Sequence, residues 1–334
     1  MRRSFMTALL LLVCLTVVFS QGSKDGVSGK DAPIVLKIAL QNGESHPLCM
    51  GVAKFAENLE RNTNGRITMD LYYSGALGDK PATVQGMQMG TIDGAMLMSG
   101  VIADYGCDEM KAFTLPYLFD SVDHARRFNK SEAGRALLDK IQSSGTRMVC
   151  IGTYQESARN YFFTKKDVKT PADLKNMLIR CQEGAIYYDT MEAMGSFAQS
   201  IAFSELFSAL QAGVVDGAEQ PLSGFVTNSF HEICKYYIRD QHEISPNLIL
   251  FSEITWNKLS EDDKAVILSS FNESVEYFEE LSDARDMVYI EQMLAAGVKI
   301  TDVNISEWQD ACASIYEKYG TKYKDIIASI RAAR

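Results

Sequence analysis

Apolar positions recur along the chain with two different periods, and their order predicts strands that are each followed by a helix. Strand-like apolar runs lie at 35–40, 67–72, 92–98, 146–154, 161–163, 177–179, 200–203, 214–220, 236–242 and 248–251. Helical spacing follows the first run, where Val52, Phe55 and Leu59 share one face. A βαβαβ order favours a parallel sheet with crossover helices, so the sequence predicts an α/β fold.

A much longer helix is predicted near the C-terminal end. Ser260 is a candidate N-cap with acidic residues in the turn after it, and Gly297 is a candidate left-handed residue at the end. An apolar stripe lies between them, formed by Leu268, Phe271, Val275, Phe278 and Leu281. About 35 residues make roughly 50 Å of helix, which is longer than one small domain is wide. We therefore expect this helix to brace two domains and to bury Phe271; a coiled coil is the alternative, but the stripe is short for sustained heptads.

The N-terminal segment has the pattern of an export signal. Two arginines precede an apolar run that ends near Phe19, and cleavage is predicted after Ser20. Residues 1–20 are thus interpreted as a signal peptide and residues 21–32 as a flexible tether. This places the mature protein in the periplasm or another extracytoplasmic space. A lipid anchor through Cys14 is the alternative, although Val13 is bulky for the position before a modified cysteine.

Charge and motif content narrow the function classes. The chain has 33 lysines and arginines against 43 aspartates and glutamates, a net charge of −10, which argues against a nucleic-acid partner. An anionic ligand would need a local positive pocket. The six cysteines after the signal show no CxxC pair and are predicted to be buried free thiols. The chain lacks GxSxG, P-loop and HExxH motifs, and its four histidines lack metal-like spacing, so we expect neither an enzyme nor a cofactor or metal site.

A candidate binding residue lies near the middle of the chain. Thr170 and Pro171 begin a short helix, and an apolar strand follows that ends on Arg180. The carboxyl end of a buried strand is the usual ligand position of an open α/β sheet. A guanidinium there offers a planar fork of donors that matches a carboxylate. The alternative is a structural or surface arginine.

Several runs together resemble the solute-receptor subunits of TRAP transporters, the tripartite ATP-independent periplasmic class often labelled dicarboxylate-binding. The runs are Glu44–Pro47, Gly75–Gly78, Leu115–Phe119, Lys169–Lys175, Ile179–Arg180 and Leu210–Pro221. The resemblance implies two α/β lobes joined by crossing hinge strands, a long helix spanning both, and a ligand cleft between them. It implies lobe I from 33–157 and 246–285, and lobe II from 158–245 and 286–330.

The resemblance also implies positions for ligand contacts. Arg180 occupies the place of the carboxylate clamp, and Arg159 that of a second cleft arginine, for which a salt bridge across the hinge is the alternative. Gln220 is implied as a polar contact, with a turn-forming amide as the alternative. Glu44 and His46 match the first cleft loop, where a helix-capping role is the alternative. The remaining implied wall residues are Ser99, Tyr154 and Phe203.

One departure from the family pattern affects the ligand. The usual Met-Pro after the arginine strand is replaced by Gln182-Glu183-Gly184. A carboxylate at Glu183 would repel a second ligand carboxylate in a dry cleft but could accept hydroxyl groups. Asp240 and His242 add further groups suited to hydroxyls. The pattern therefore favours a sugar acid, such as a hexuronate or aldonate, over a C4-dicarboxylate.

The resulting prediction is an extracytoplasmic receptor. It captures a small organic anion between its lobes, opening and closing about 154–159 and 240–247, and delivers it to the membrane subunits of a TRAP transporter. We expect a monomer. The alternatives are a C4-dicarboxylate receptor of the same class and a solute-binding sensor that serves a signalling partner.

Overall fold

The computed structural model describes residues 32–334 and confirms the α/β class. The strands of this part of the chain are β1 Ile34–Leu40, β2 Ile67–Tyr72, β3 Gly94–Met98, β4 Met148–Tyr154, β5 Asn160–Phe163, β6 Leu178–Cys181, β7 Phe197–Ser200, β8 Gly217–Gln220, β9 Tyr236–Arg239, β10 Asn247–Ser252 and β11 Lys299–Asp302. The α-helices are α1 Pro47–Asn62, α2 Lys80–Met89, α3 Ser99–Ala103, α4 Val122–Lys130, α5 Glu132–Ser143, α6 Ala185–Ala193, α7 Leu206–Ala212, α8 Leu222–Thr227, α9 Phe230–Ile233, α10 Glu253–Trp256, α11 Glu261–Ala295, α12 Ile305–Ala311, α13 Ala313–Tyr319 and α14 Lys324–Ala332. Short 3-10 helices lie at Asp108–Thr114, Pro171–Leu174 and Phe203–Glu205.

The proposed signal peptide, most of the tether and Cys14 lie outside the described residues. Within residues 32–334, no helix has the length and apolar character needed to cross a membrane.

The strands form two sheets, one in each lobe. The first has the order β2-β1-β3-β10-β4, and the second has the order β11-β9-β5-β8-β6-β7. Strands β1, β2 and β3 are parallel as expected, but β10 runs antiparallel between β3 and β4 because it returns from the other lobe. The second sheet is mixed for the same reason, with β5 antiparallel to both β8 and β9.

The strand predicted at 200–203 is misplaced. The structure has β7 at Phe197–Ser200 instead, and Phe203 begins a 3-10 helix. Parallel pairing with β6 sets these limits, because it aligns Phe197 with Leu178 at one end and Ser200 with Cys181 at the other.

Two short segments carry the chain between the sheets. Residues 155–159 join β4 to β5, and residues 240–246 join β9 to β10. They run antiparallel, and the backbone N–H of Arg159 donates to the carbonyl of Glu243 at 2.8 Å. These are the crossing strands that the resemblance implied.

The long helix α11 contacts both lobes, as predicted. Ser260 caps it in a capping box with Asp263, and Gly297 follows it with a φ of 76°. Phe271 is buried in the first-lobe core against Phe55 and Tyr154. Further along the same helix, buried residues join the second-lobe core with α8, namely Tyr289 and Met293. Between these two parts, Asp286 of the helix accepts a hydrogen bond from Ser157 Oγ of the first crossing segment at 3.4 Å.

The core is apolar and contains the cysteines. All six described cysteines are free and buried, which confirms the prediction of buried thiols.

Candidate functional site

Arg180 presents a buried cation at the end of β6. It is 3% exposed, and its Nε donates to the carbonyl of Ile201 at 3.0 Å, which fixes the guanidinium plane. Its Nη1 is buried and has no hydrogen-bond partner among the described residues. Burial lowers the pKa of Arg180; the Glu219 carboxylate opposes this effect and Arg159 adds to it. Since an arginine remains protonated in proteins, this N–H is suited to an anion.

Arg159 lies beside it and is already paired. Its Nε is bonded to Glu219 Oε2, and its Nη2 donates to the carbonyl of Glu219 at 3.1 Å. Both side chains are almost fully buried. Burial by itself would lower the pKa of Arg159, but the Glu219 carboxylate outweighs it and the pKa is raised. Only Nη1 is directed elsewhere, toward Met98 Sδ at 3.7 Å. A salt bridge is thus present, but it joins Arg159 to β8 of the second lobe and does not cross the hinge; Glu219 keeps Oε1 buried without a partner among the described residues.

Lys80 adds a third cation, from the first lobe. It is the first residue of α2, and its Nζ donates to Gln182 Oε1 at 3.0 Å across the lobes. Burial is the main cause that lowers the pKa of Lys80 to about 8, and repulsion from Arg180 and Arg159 adds to it. The site therefore combines three positive side chains in an acidic protein.

A hydrogen-bonded series continues from this contact into the crossing segment. Gln182 Nε2 lies 3.4 Å from Tyr187 Oη, which donates to Glu243 Oε1 at 3.3 Å. Ser245 Oγ lies within hydrogen-bond distance of Glu243 Oε1 and, at 2.8 Å, of the Phe113 carbonyl, and its single proton can be donated to only one of them at a time. Burial raises the pKa of Glu243, although Arg159 opposes the shift. The series fixes Tyr187 between the lobes.

Asp240 orients His242. Asp240 Oδ1 accepts the backbone N–H of Tyr161 at 3.0 Å, and Oδ2 lies 2.6 Å from His242 Nδ1. The imidazole stacks on the Tyr161 ring, with centroids 4.2 Å apart. Burial would lower the pKa of His242, but the Asp240 carboxylate raises it above its usual value. Asp240 is fully buried, and these two contacts fix it against β5 and orient the imidazole.

Three buried side chains are arranged closely enough to hold a metal ion. One ligand atom each of Glu219, His242 and Glu243 lie within 4.8 Å of one another. A cation there would share the Glu219 carboxylate with Arg159 and would compete with a proton on His242. The chemistry of this set fits a protonated, charge-paired network better than a metal centre.

Two other predicted residues, Ser99 and Gln220, lie at or near the cluster of Arg180, Arg159 and Glu219, and a third, Phe203, packs elsewhere. Ser99 is fully buried directly after β3, and its Oγ has no partner among the described residues. Gln220 is the last residue of β8, next to Glu219, and is 8% exposed. Phe203 is half-buried and makes an edge contact with the Phe230 ring, so it packs against the second-lobe core.

The remaining predicted residues are placed differently. Tyr154 lies in the first-lobe core, where its hydroxyl donates to the carbonyl of Gly51 at 3.0 Å and lies 2.6 Å from Ser274 Oγ. His46 is the N-cap of α1, the alternative role considered for it. Glu44 is exposed and lines a separate groove of about 650 Å³ between α1 and α11.

Glu183 is exposed, unlike Arg180 and Gln182. β6 ends at Cys181, and Glu183 lies in the bend that follows it. The role of hydroxyl acceptor for Glu183 stays a prediction, and the buried carboxylates near Arg180 are Glu219 and Glu243.

Sequence reasoning missed Lys80, Gln182, Glu219 and Glu243. Glu219 lies inside the run Leu210–Pro221, directly before the predicted contact Gln220. Gln182 lies two residues after the predicted clamp Arg180, and this spacing could have pointed to it. Lys80 gave none, because its partner lies 102 positions away.

Comparison with known proteins is consistent with this geometry. Residues 38–322 match the family described as bacterial extracellular solute-binding protein, family 7. A TRAP periplasmic solute-binding protein from Pseudomonas putida F1 with bound D-glucuronate is similar with a TM-score of 0.86 and 30% identity, over 90% of this chain and 97% of that one. One from Xanthobacter autotrophicus Py2 with bound β-D-galacturonate has a TM-score of 0.85 and 26% identity, over 90% and 100%. The C4-dicarboxylate-binding periplasmic protein DctP of Rhodobacter capsulatus is 24% identical over 306 residues, 90% of this chain and 91% of that protein.

Proposed function

Because the chain belongs to the bacterial extracellular solute-binding proteins of family 7, we propose that it is a receptor for an organic anion. It captures the anion between its lobes outside the cytoplasm and delivers it to the membrane subunits of a TRAP transporter. It performs binding and release and no chemical conversion.

The observation that carries the proposal is the convergence of Arg180, Arg159 and Lys80. Of these, Arg180 is fixed by one bond and keeps a buried N–H that no described residue accepts. A buried donor without an acceptor is costly, so a ligand oxygen at this place would be stabilising. A carboxylate suits the guanidinium better than a neutral oxygen because charge-assisted hydrogen bonds are stronger.

The acceptor groups favour a sugar acid as the ligand. Glu219 Oε1 is buried without a partner within residues 32–334, and a carboxylate oxygen of Glu243 lies within 4.8 Å of one of Glu219. Hydroxyl groups can donate to such carboxylates, whereas a second ligand carboxylate would be repelled. The similar proteins with bound D-glucuronate and β-D-galacturonate support this ligand class. We therefore propose a hexuronate whose carboxylate binds Arg180.

A C4-dicarboxylate is the second candidate, and Lys80 is the observation that favours it. Its ammonium lies on the opposite lobe from Arg180 and could pair with a second carboxylate. The relative from Rhodobacter capsulatus binds C4-dicarboxylates by its description.

Binding is completed by closure of the lobes. The solute meets Arg180 on the second lobe, and movement about 155–159 and 240–246 brings Lys80 and Ser99 of the first lobe against it. Exclusion of water then strengthens the ion pair, because the effective dielectric falls.

A thermal-shift screen tests the ligand class. The probes are D-glucuronate, D-galacturonate, succinate and malate, with neutral D-glucose as the control. A ligand present at one hundred times its Kd adds about 2.7 kcal/mol of stability, so the two uronates are expected to raise the Tm. A shift with succinate alone would establish the dicarboxylate alternative, and an equal shift with D-glucose would refute an anion receptor.

A further inference from the structure

The contact between Lys80 and Gln182 joins the lobes directly beside the arginines. Lys80 begins α2 of the first lobe, and its Nζ lies 3.0 Å from Gln182 Oε1. Gln182 follows Arg180 by two residues, and both side chains are buried. Closure of the lobes therefore brings an ammonium from one lobe next to a guanidinium of the other.

The charges in the closed cleft do not balance. Lys80, Arg159 and Arg180 are positive, and the carboxylates that face Lys80 are Glu219 and Glu243, which leaves one positive charge in excess. His242 is adjacent, but it is paired with Asp240. Like charges repel more strongly in a partly buried site than in water. One carboxylate between the lobes would neutralise the excess.

We propose that Lys80 makes closure of the lobes conditional on an anionic solute. Its charge opposes closure of the ligand-free cleft, and the solute carboxylate turns this repulsion into attraction from both sides. The inference rests on the proposed anion receptor and adds a reason why the empty receptor stays open. The membrane subunits would then meet the closed form only when it is loaded.

Deprotonation of Lys80 tests the effect of its charge alone, because the neutral amine can still donate a hydrogen bond to Gln182. The pKa of Lys80 is about 8 in the closed form, against an ordinary value of 10.5 when the lobes are apart. Between these values the ratio of closed to open protein rises up to tenfold per pH unit, and by roughly 30-fold between pH 7 and pH 9.5.

The experiment is small-angle X-ray scattering of the ligand-free protein at both pH values. The wild type is expected to contract at pH 9.5. Lys80→Arg keeps its charge and is expected to remain extended, and Lys80→Met is expected to be compact already at pH 7. His242 and Asp286 titrate in the wild type and in both Lys80 variants, so their effect on the radius of gyration cancels when the three proteins are compared.

The result overturns the inference if the ligand-free wild type has one radius of gyration at both pH values, or if Lys80→Arg contracts equally. Addition of D-glucuronate and succinate at pH 7 tests the proposed function separately. If neither contracts the wild type, the anion receptor fails, whatever the response to pH. If either anion contracts the wild type while the response to pH is missing, the proposed anion receptor is retained and the proposed role of Lys80 is refuted.

Discussion

Replacement of Arg159 by methionine separates two roles for this arginine. As a second ligand clamp, Arg159 would affect affinity alone. The structure instead bonds it to Glu219 Oε2 and to the Glu219 carbonyl at 3.1 Å. The variant leaves the Glu219 carboxylate, whose residue is 1% exposed, without its counter-charge. Breaking a buried pair in this way costs about 3–5 kcal/mol of unfolding free energy.

Urea unfolding of the ligand-free protein, followed by circular dichroism, measures this loss. Arg239→Met is a matched control, because Arg239 also makes a two-pronged pair, to Asp302 at 2.6 and 2.9 Å, but its side chain is 42% exposed. An exposed pair is worth about 0–1 kcal/mol. The double variant Arg159→Met/Glu219→Leu is expected to recover part of the stability, since it removes both charges. Equal losses for Arg159→Met and Arg239→Met would refute the buried pair as the main role of Arg159.

Three further predictions concern the long helix, the hinge and the cleft edge. Phe271→Ala should lower the free energy of unfolding by about 3–5 kcal/mol, whereas Met287→Ala on the outer face of the same helix should change it by less than about 0.5 kcal/mol, both read from urea midpoints. Burial, with Glu156 beside it, raises the pKa of Asp286 to about 7. The stability that Asp286 contributes is present below about pH 4 and is lost as the pH rises through 7. The free energy of unfolding of the wild type relative to Asp286→Asn should therefore fall by on the order of 2 kcal/mol between these pH values. A difference that does not change with pH would argue against the raised pKa of Asp286. Glu183→Ala should change uronate affinity by less than about threefold in calorimetry, and a strong loss would place Glu183 in the cleft after all.

The long helix shows what the sequence could predict. Its start and end depend on local chemistry, namely the capping box of Ser260 and the left-handed backbone at Gly297. Its buried face was less predictable. Ser270 and Ser274 are buried while Val275 is only partly so, because α1 and Tyr154 bond to these serines. Such contacts join residues far apart in the chain, and no local period encodes them.

The site shows the same limit. Arg180 could be singled out because the end of a buried strand is a local feature. Lys80 could not, since it becomes relevant only when the first lobe faces Gln182 across the cleft. The role of Glu183 stays a prediction, because it lies in a bend before Gly184, whose φ is 138°, and the side-chain alternation of β6 does not extend beyond Cys181.

The central claim is that Arg180 binds the carboxylate of the solute, and isothermal titration calorimetry of D-glucuronate tests it most directly. Wild type, Arg180→Ala and Arg180→Lys are compared, with Arg239→Ala as the surface control. Loss of the buried counter-charge should cost about 3–5 kcal/mol, or two to four decades in Kd, and Arg180→Lys should also fail because the planar fork is lost. Near-wild-type affinity in either Arg180 variant would contradict the account.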